Sequence, residues 1–251
     1  MKQIIEYFER SYVINLSDRT DRRRQAEEEF LRVGIHIPNE NVRFYTATRP
    51  TDKGNFSDIG TRGCFVSHRD ILQLASRERL GNVLVFEDDV SFRKIEIGFE
   101  RQLLAQLSKQ DWDVVLFGYL SPHDDALTGP LARWPKDILG MHFYAVNGPF
   151  IPTMLRYMNE CELRPRDHVD GGPMPADGAY NHVRYLNPDV KVLLSVPNLA
   201  HQRSSRTDIA ETRIFDRIDW LRPILHGARS VKHQLRMALD EYKLRQRLDK
   251  R

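Results

Sequence analysis

The feature that most constrains this chain is Val83-Leu84-Val85-Phe86, four apolar residues that run straight into Glu87-Asp88-Asp89. A short apolar run without polar alternation marks a strand covered on both faces, and such strands belong to sheets with helices packed on each side. A second run of this kind is Asp113-Val114-Val115-Leu116-Phe117-Gly118. Upstream, Ser11-Tyr12-Val13-Ile14-Asn15-Leu16 reads as a strand, after which Ala26, Phe30 and Val33 recur at helical spacing. Val42 to Thr46 is the next strand. The stretch 49–63 carries Pro50, Gly54, Gly60 and Gly63 among polar residues and reads as a loop of functional length. From Cys64 the spacing of Ile71, Leu74 and Ala75 predicts a helix to about Arg79, stopped by Gly81. Helices near 97–107 and 153–161 and strands at 141–147 and 190–196 complete the pattern. Strand and helix in alternation predict an α/β fold: a mixed, mainly parallel sheet flanked by helices.

A chain of 251 residues buries a core without disulfide staples, and its 41% hydrophobic and 29% charged residues exclude disordered and fibrous classes. Charge is unevenly placed: residues 211–251 hold 11 Lys or Arg against 6 Asp or Glu, so the remainder is slightly acidic although the whole chain is +3. That balance argues against nucleic acid as a partner, because no basic stripe interleaved with aromatics crosses the body. The expected division is a body of residues 1–210 and a basic, amphipathic, helical tail of residues 211–251. In the tail Ile214, Ile218, Leu221 and Leu225 share one face, and Pro223 and Gly227 split the helix in two. Such a tail suits peripheral contact with anionic lipid, and equally suits packing on the body or a second copy. Cys64 and Cys161 form no CxxC pair, which fits a reducing compartment. With no leader-like N-terminus and no long apolar run, the expectation is a cytoplasmic chain, located at the inner face of the membrane if the tail takes the lipid rather than the packing role.

Three consecutive acids after an apolar strand repel one another unless a cation or donors compensate. In extended backbone Glu87 and Asp89 point one way and Asp88 the other, at the carboxyl end of a strand, where open α/β sheets bind ligands. Oxygen donors favour a hard cation, Mn²⁺ or Mg²⁺, completed by water and phosphate. The residues alone leave a second reading open, an acidic loop that caps the next helix.

Several motifs occur in one order: YVINLSDRTDRR, RFYTA, GCFVSH and VLVFEDDV, with PNLAHQRSSRTDI further on. Together they resemble glycosyltransferase family 25, the lipopolysaccharide and lipooligosaccharide β-galactosyltransferases and the collagen galactosyltransferase domains. The resemblance implies a GT-A-like fold and an inverting, metal-assisted transfer of a hexose, most often galactose, from a UDP-sugar to a hydroxyl of a glycan or glycolipid acceptor. It also implies roles. The acids look like the family's DxD-type motif, with Asp89 on the metal and Glu87 and Asp88 on the nucleotide. Asn15, Arg19 and Arg22 follow the first strand, where the family holds the nucleotide, and the two arginines suit phosphate or the acids. Gly63, preceding a helix with free N–H groups, and Ser67 and His68 one turn in are further contacts for the donor. The base expected of an inverting transfer is Asp177 at a helix start, with Asp170 second. His201 stands where many GT-A enzymes place a second metal ligand, and Arg203 and Arg206, with Ser204 and Ser205, suit a lid over the diphosphate. Two other functions share these features, a nucleotide-sugar-binding protein without catalysis and a metal-dependent nucleotidyltransferase. The second is disfavoured because no glycine-rich phosphate loop follows the first strand.

Overall fold

Alternation of strand and helix is what the chain adopts. The computed structural model describes residues 1–120 and 127–203. Met1–His201 forms one compact unit, and Gln202–Arg251 groups separately, with only Gln202 and Arg203 described. The tail expected at 211–251 and the loop residues Ser204, Ser205 and Arg206 lie outside the described residues. Among the described residues no helix is long and apolar enough to cross a membrane.

After a short N-terminal helix α1 (Lys2–Tyr7) come β1 (Ser11–Asn15), α2 (Thr20–Arg32), β2 (Val42–Thr46), α3 (Ile59–Arg77), β3 (Asn82–Glu87), β4 (Val90–Phe92), α4 (Phe99–Leu107) and β5 (Val114–Gly118). There follow β6 (Leu131–Arg133), β7 (Phe143–Asn147), α5 (Ile151–Leu163), α6 (Ala176–Leu186), β8 (Val192–Ser195) and β9 (Ala200–Gln202). The main sheet has the order β2-β1-β3-β7-β5-β8-β6, and β4 pairs with β9 in a small second sheet. β1 is parallel to both β2 and β3, and β5 is parallel to β8, whereas β7 runs antiparallel between β3 and β5 and β6 antiparallel beside β8. Five of the seven strands thus share one direction, the mixed, mainly parallel sheet expected.

The apolar runs behave as their composition dictates. Val83 and Val85 face one core with Phe65, Ile71, Leu72, Met154 and Tyr180, while Leu84 and Phe86 face the other with Ile4, Ile5, Ala26, Phe30 and Leu103. Val114 and Leu116 divide from Val115 and Phe117 in the same way. At about 1.5–3 kcal/mol for each fully buried large apolar side chain, this two-sided burial fixes the central strands in place.

Three expectations are corrected. Helix α3 starts at Ile59, not Cys64: Asp58 caps it, accepting from Thr61 N–H at 2.7 Å, and Gly60 and Gly63 lie inside it. Gly63 therefore does not offer a helix start to a phosphate. A side chain there would meet Thr48 O at 2.7 Å, so glycine permits α3 to pack on the chain leaving β2. Ser67, expected to touch the donor, is fully buried; its hydroxyl accepts from Thr48 N–H at 2.9 Å and donates to Gly63 O at 2.6 Å, serving the same packing. Finally, only Glu87 of the three acids is in extended backbone. Asp88 and Asp89 form the turn into β4, so strand alternation does not decide where they point.

Candidate active site

β1 leads to β2 on one side, and the chain then crosses to β3 on the other, so the sheet order reverses between β1 and β3. In open α/β sheets the crevice outside the carboxyl ends of such strands is where ligands bind. Register places Ile14 opposite Glu87, and Asn15 beyond it beside the acidic turn. Here Asp88, with 8% of its side chain exposed, accepts from Asn15 Nδ2 at 2.8 Å and from Arg22 Nη1, itself 12% exposed, at 3.1 Å. Asn15 Nδ2 also donates to Arg19 O at 3.2 Å. A carboxylate this buried requires such donors, and the arrangement ties the end of β1, the start of α2 and the turn after β3 into one unit. Both Asp88 oxygens are thus engaged inside the protein. Arg19 grips Asp21 with two bonds of 3.0 Å, and this guanidinium contact holds the Asp21 carboxyl down at about 2.

The second component stands on α3. Cys64 and His68, four residues apart, share a helix face, and their ligand atoms and a Glu87 carboxylate oxygen lie within 4.8 Å of one another. His68 Nδ1 is 2.7 Å from Tyr144 Oη on β7, and its Nε2 is 3.9 Å from Glu87 Oε1. Burial pushes His68 down to about 4, so the imidazole is neutral at pH 7 and its approach to Glu87 is not an ion pair.

Asp177 occupies the first turn of α6, where a carboxylate is favoured by the helix dipole. Its Oδ2 accepts from Gly140 N–H at 3.0 Å and its Oδ1 from Gly178 N–H at 2.9 Å. Gly140 lies three residues before Phe143, which pairs with Phe86, so this bond brings α6 to the same sheet edge as the acids. The consequence is visible at Cys64: burial first, then the charges of Glu87, Asp177 and Asp89, push its thiol far up. The acidic turn supplies oxygen donors of the kind that suit Mn²⁺ or Mg²⁺.

The other expected residues are placed elsewhere. Asp170 is in the loop after α5, its carboxylate half exposed and 4.0 Å from His168 Nδ1, with its backbone oxygen accepting from Arg164. His201 is on β9, and its Nε2 accepts from Arg93 Nε at 2.6 Å, which engages that lone pair. Arg203 is half-buried just beyond β9. Cys64 and Tyr144 were not singled out from the sequence. The i, i+4 spacing within GCFVSH was a readable signal for Cys64, but nothing local marks Tyr144.

Residues 8–119 match the model of glycosyltransferase family 25 (LPS biosynthesis protein). For this stretch, the resemblance in the motifs holds. The family 25 match runs from the residues before β1 through β5, taking in Asn15, Cys64, His68 and the three acids but not Asp177 or His201. Among curated relatives, a "Glycosyltransferase 25 family member" of Drosophila melanogaster is 28% identical over 131 residues, which is 44% of this chain and 21% of that protein. "Procollagen galactosyltransferase 1-A" of Xenopus laevis is 27% identical over 132 residues, again 44% and 21%. The similarity thus spans about a fifth of those relatives' length. A solved structure, a glycosyltransferase involved in glycosylation of the major capsid of PBCV-1, aligns with 78% of this chain and 93% of its own at 13% identity and a TM-score of 0.44.

Proposed function

We propose that this protein is an inverting glycosyltransferase that moves a hexose from a UDP-sugar to a hydroxyl of a glycan or glycolipid. The observation that carries the reading is the family 25 match over residues 8–119, together with the acidic turn Glu87-Asp88-Asp89 at the carboxyl end of β3, where the sheet order reverses. A galactose donor is favoured by the name of the Xenopus relative, and a lipopolysaccharide-type acceptor by the description of the family model. The body around this crevice is the catalytic domain in this reading, with the basic tail 211–251 as its peripheral membrane contact.

The roles follow from environment. Asp88, held by Asn15 and Arg22, anchors the acidic turn that carries Glu87 and Asp89. Glu87 and Arg19 are the donor contacts that fit this arrangement. Asp89, with Glu87 beside it in sequence, would hold Mn²⁺ or Mg²⁺; His201 would join only by exchanging its bond to Arg93. Bound there, the cation would neutralise charge on the departing diphosphate. Asp177 takes the proton of the acceptor hydroxyl as that oxygen attacks the anomeric carbon from the face opposite UDP, giving inversion. Its two backbone N–H donors keep the carboxylate oriented while leaving lone pairs for the incoming proton. Asp170, beside Arg164 and His168, stays the second candidate for this step.

The test is calorimetric binding of UDP and a panel of UDP-sugars, with Mn²⁺ and with EDTA. The expected result is Mn²⁺-dependent binding that Asp89→Ala abolishes. Absence of any UDP binding would overturn the reading. Binding without turnover would leave only a nucleotide-sugar-binding protein.

A further inference from the structure

We infer that Cys64, His68 and Glu87 form a site for a borderline-soft divalent cation, Zn²⁺ in the first instance, distinct in chemistry from the oxygen-only hard-cation site proposed around Asp89. Two of its donors come from one helix face at i, i+4 and the third from the end of β3, so the backbone holds them together before any ion arrives. The thiol, the imidazole nitrogen and the carboxylate oxygen lie within 4.8 Å of one another, with His68 Nε2 and Glu87 Oε1 at 3.9 Å. Around a tetrahedral zinc with bonds of about 2.0–2.3 Å, such atoms stand roughly 3.3–3.7 Å apart. Closing therefore takes side-chain shifts of an ångström or less.

The surroundings match a zinc site in two further respects. His68 Nδ1 already has its outer partner, Tyr144 Oη at 2.7 Å, so a metal on Nε2 fixes the tautomer in which Nδ1–H donates to that oxygen. The half-buried Cys64 thiol is a soft donor, unlike the oxygen-only ligands of the acidic turn, and a dication binds it as the thiolate. Binding releases the thiol proton to solvent and involves no redox change. With His68 buried and Glu87 partly exposed, three protein donors leave the fourth position on the crevice side for water. Glu87 is shared with the proposed donor site, so zinc here competes with the nucleotide-sugar.

The test uses Co²⁺ as a spectroscopic probe on the metal-free full chain, with no nucleotide present. The expected signature is a thiolate-to-cobalt charge-transfer band with intense tetrahedral d–d bands, saturating at one equivalent and removed by one equivalent of Zn²⁺. Cys64→Ser abolishes the charge-transfer band, and Cys161→Ser retains it. Tyr144→Phe, which removes the outer partner, weakens Co²⁺ affinity about 10- to 100-fold. Asp89→Asn leaves the band intact, so failure of the hard-cation proposal and failure of this one are separable. Should Cys64→Ser fail to fold, His68→Gln with an intact melting transition must lose the d–d intensity. A spectrum without a thiolate band, or a band that survives Cys64→Ser, overturns the inference.

Discussion

Replacing Asp88 by alanine tests whether the middle acid holds the fold, apart from the donor-site roles proposed for Glu87 and Asp89. The Asp88 side chain is 8% exposed and its Arg22 partner 12%, so the ion pair is shielded from water and from salt screening. Removing one member of a buried pair costs about 3–5 kcal/mol, because the remaining charge stays desolvated without its partner. Asn15 keeps its bond to Arg19 O at 3.2 Å and so adds little. Against a typical stability of about 5–15 kcal/mol the expected loss is severe, and urea unfolding is best followed in the cold. Asp89→Ala, in the same turn, is expected to change stability by less than about 1 kcal/mol while abolishing Mn²⁺-dependent UDP binding. A double-mutant cycle with Arg22→Ala should return a coupling of about 0.5–3 kcal/mol. If Asp88→Ala costs under about 1 kcal/mol at unchanged m, or if its energy is additive with that of Arg22→Ala, the anchoring role assigned to Asp88 is wrong.

Three further outcomes follow from the same geometry. Burial pushes His142 down to about 4 in the folded chain against an ordinary 6.5, so between these values the unfolded chain binds more protons and stability falls as pH falls. By pH 5 the loss from this residue is about 2 kcal/mol relative to neutral pH, and His142→Gln, measured in EDTA, should show a correspondingly shallower decline; an identical slope would contradict the assignment. Gly63→Ala drives a methyl to 2.7 Å from Thr48 O and is expected to cost about 1–3 kcal/mol in a denaturant melt, an unchanged midpoint being the contrary result. Gly178→Ala meets only Met174 atoms at 3.4 Å or more, so it should hold or raise stability by roughly 0.5–1 kcal/mol. In the proposed enzyme it nonetheless slows transfer by crowding the acceptor beside Asp177, and full activity would argue against that placement.

The central strands were legible because a run such as Val83–Phe86 has no polar face to hide, and both cores claim its side chains in turn. The start of α3 was not. Two glycines in its first turns mimic a loop, and the contrary signal, Asp58 three residues before Thr61, is a single cap. The antiparallel insertion of β7 between β3 and β5 leaves no local mark, since an apolar strand reads alike in either direction. The candidate site divides similarly. Acids ending a strand and an acid opening a helix announce themselves, and the roles proposed for Asp89 and Asp177 start from that signal. Asn15 bonding Asp88 across 73 positions, or Arg93 engaging His201 across 108, depends on which strands become neighbours. Ser67 was misread for the same reason: a hydroxyl in a motif suggests a ligand until its donor and acceptor are seen to be spent on Thr48 and Gly63.

The most direct test of the central claim is release of UDP from UDP-galactose and other UDP-hexoses with and without acceptor glycan, comparing wild type with Asp177→Asn in Mn²⁺. The account predicts turnover of one preferred donor that Asp177→Asn lowers by 100-fold or more, on the order of a general base's contribution, with UDP affinity and melting temperature unchanged. Wild-type turnover matched by Asp177→Asn would contradict it.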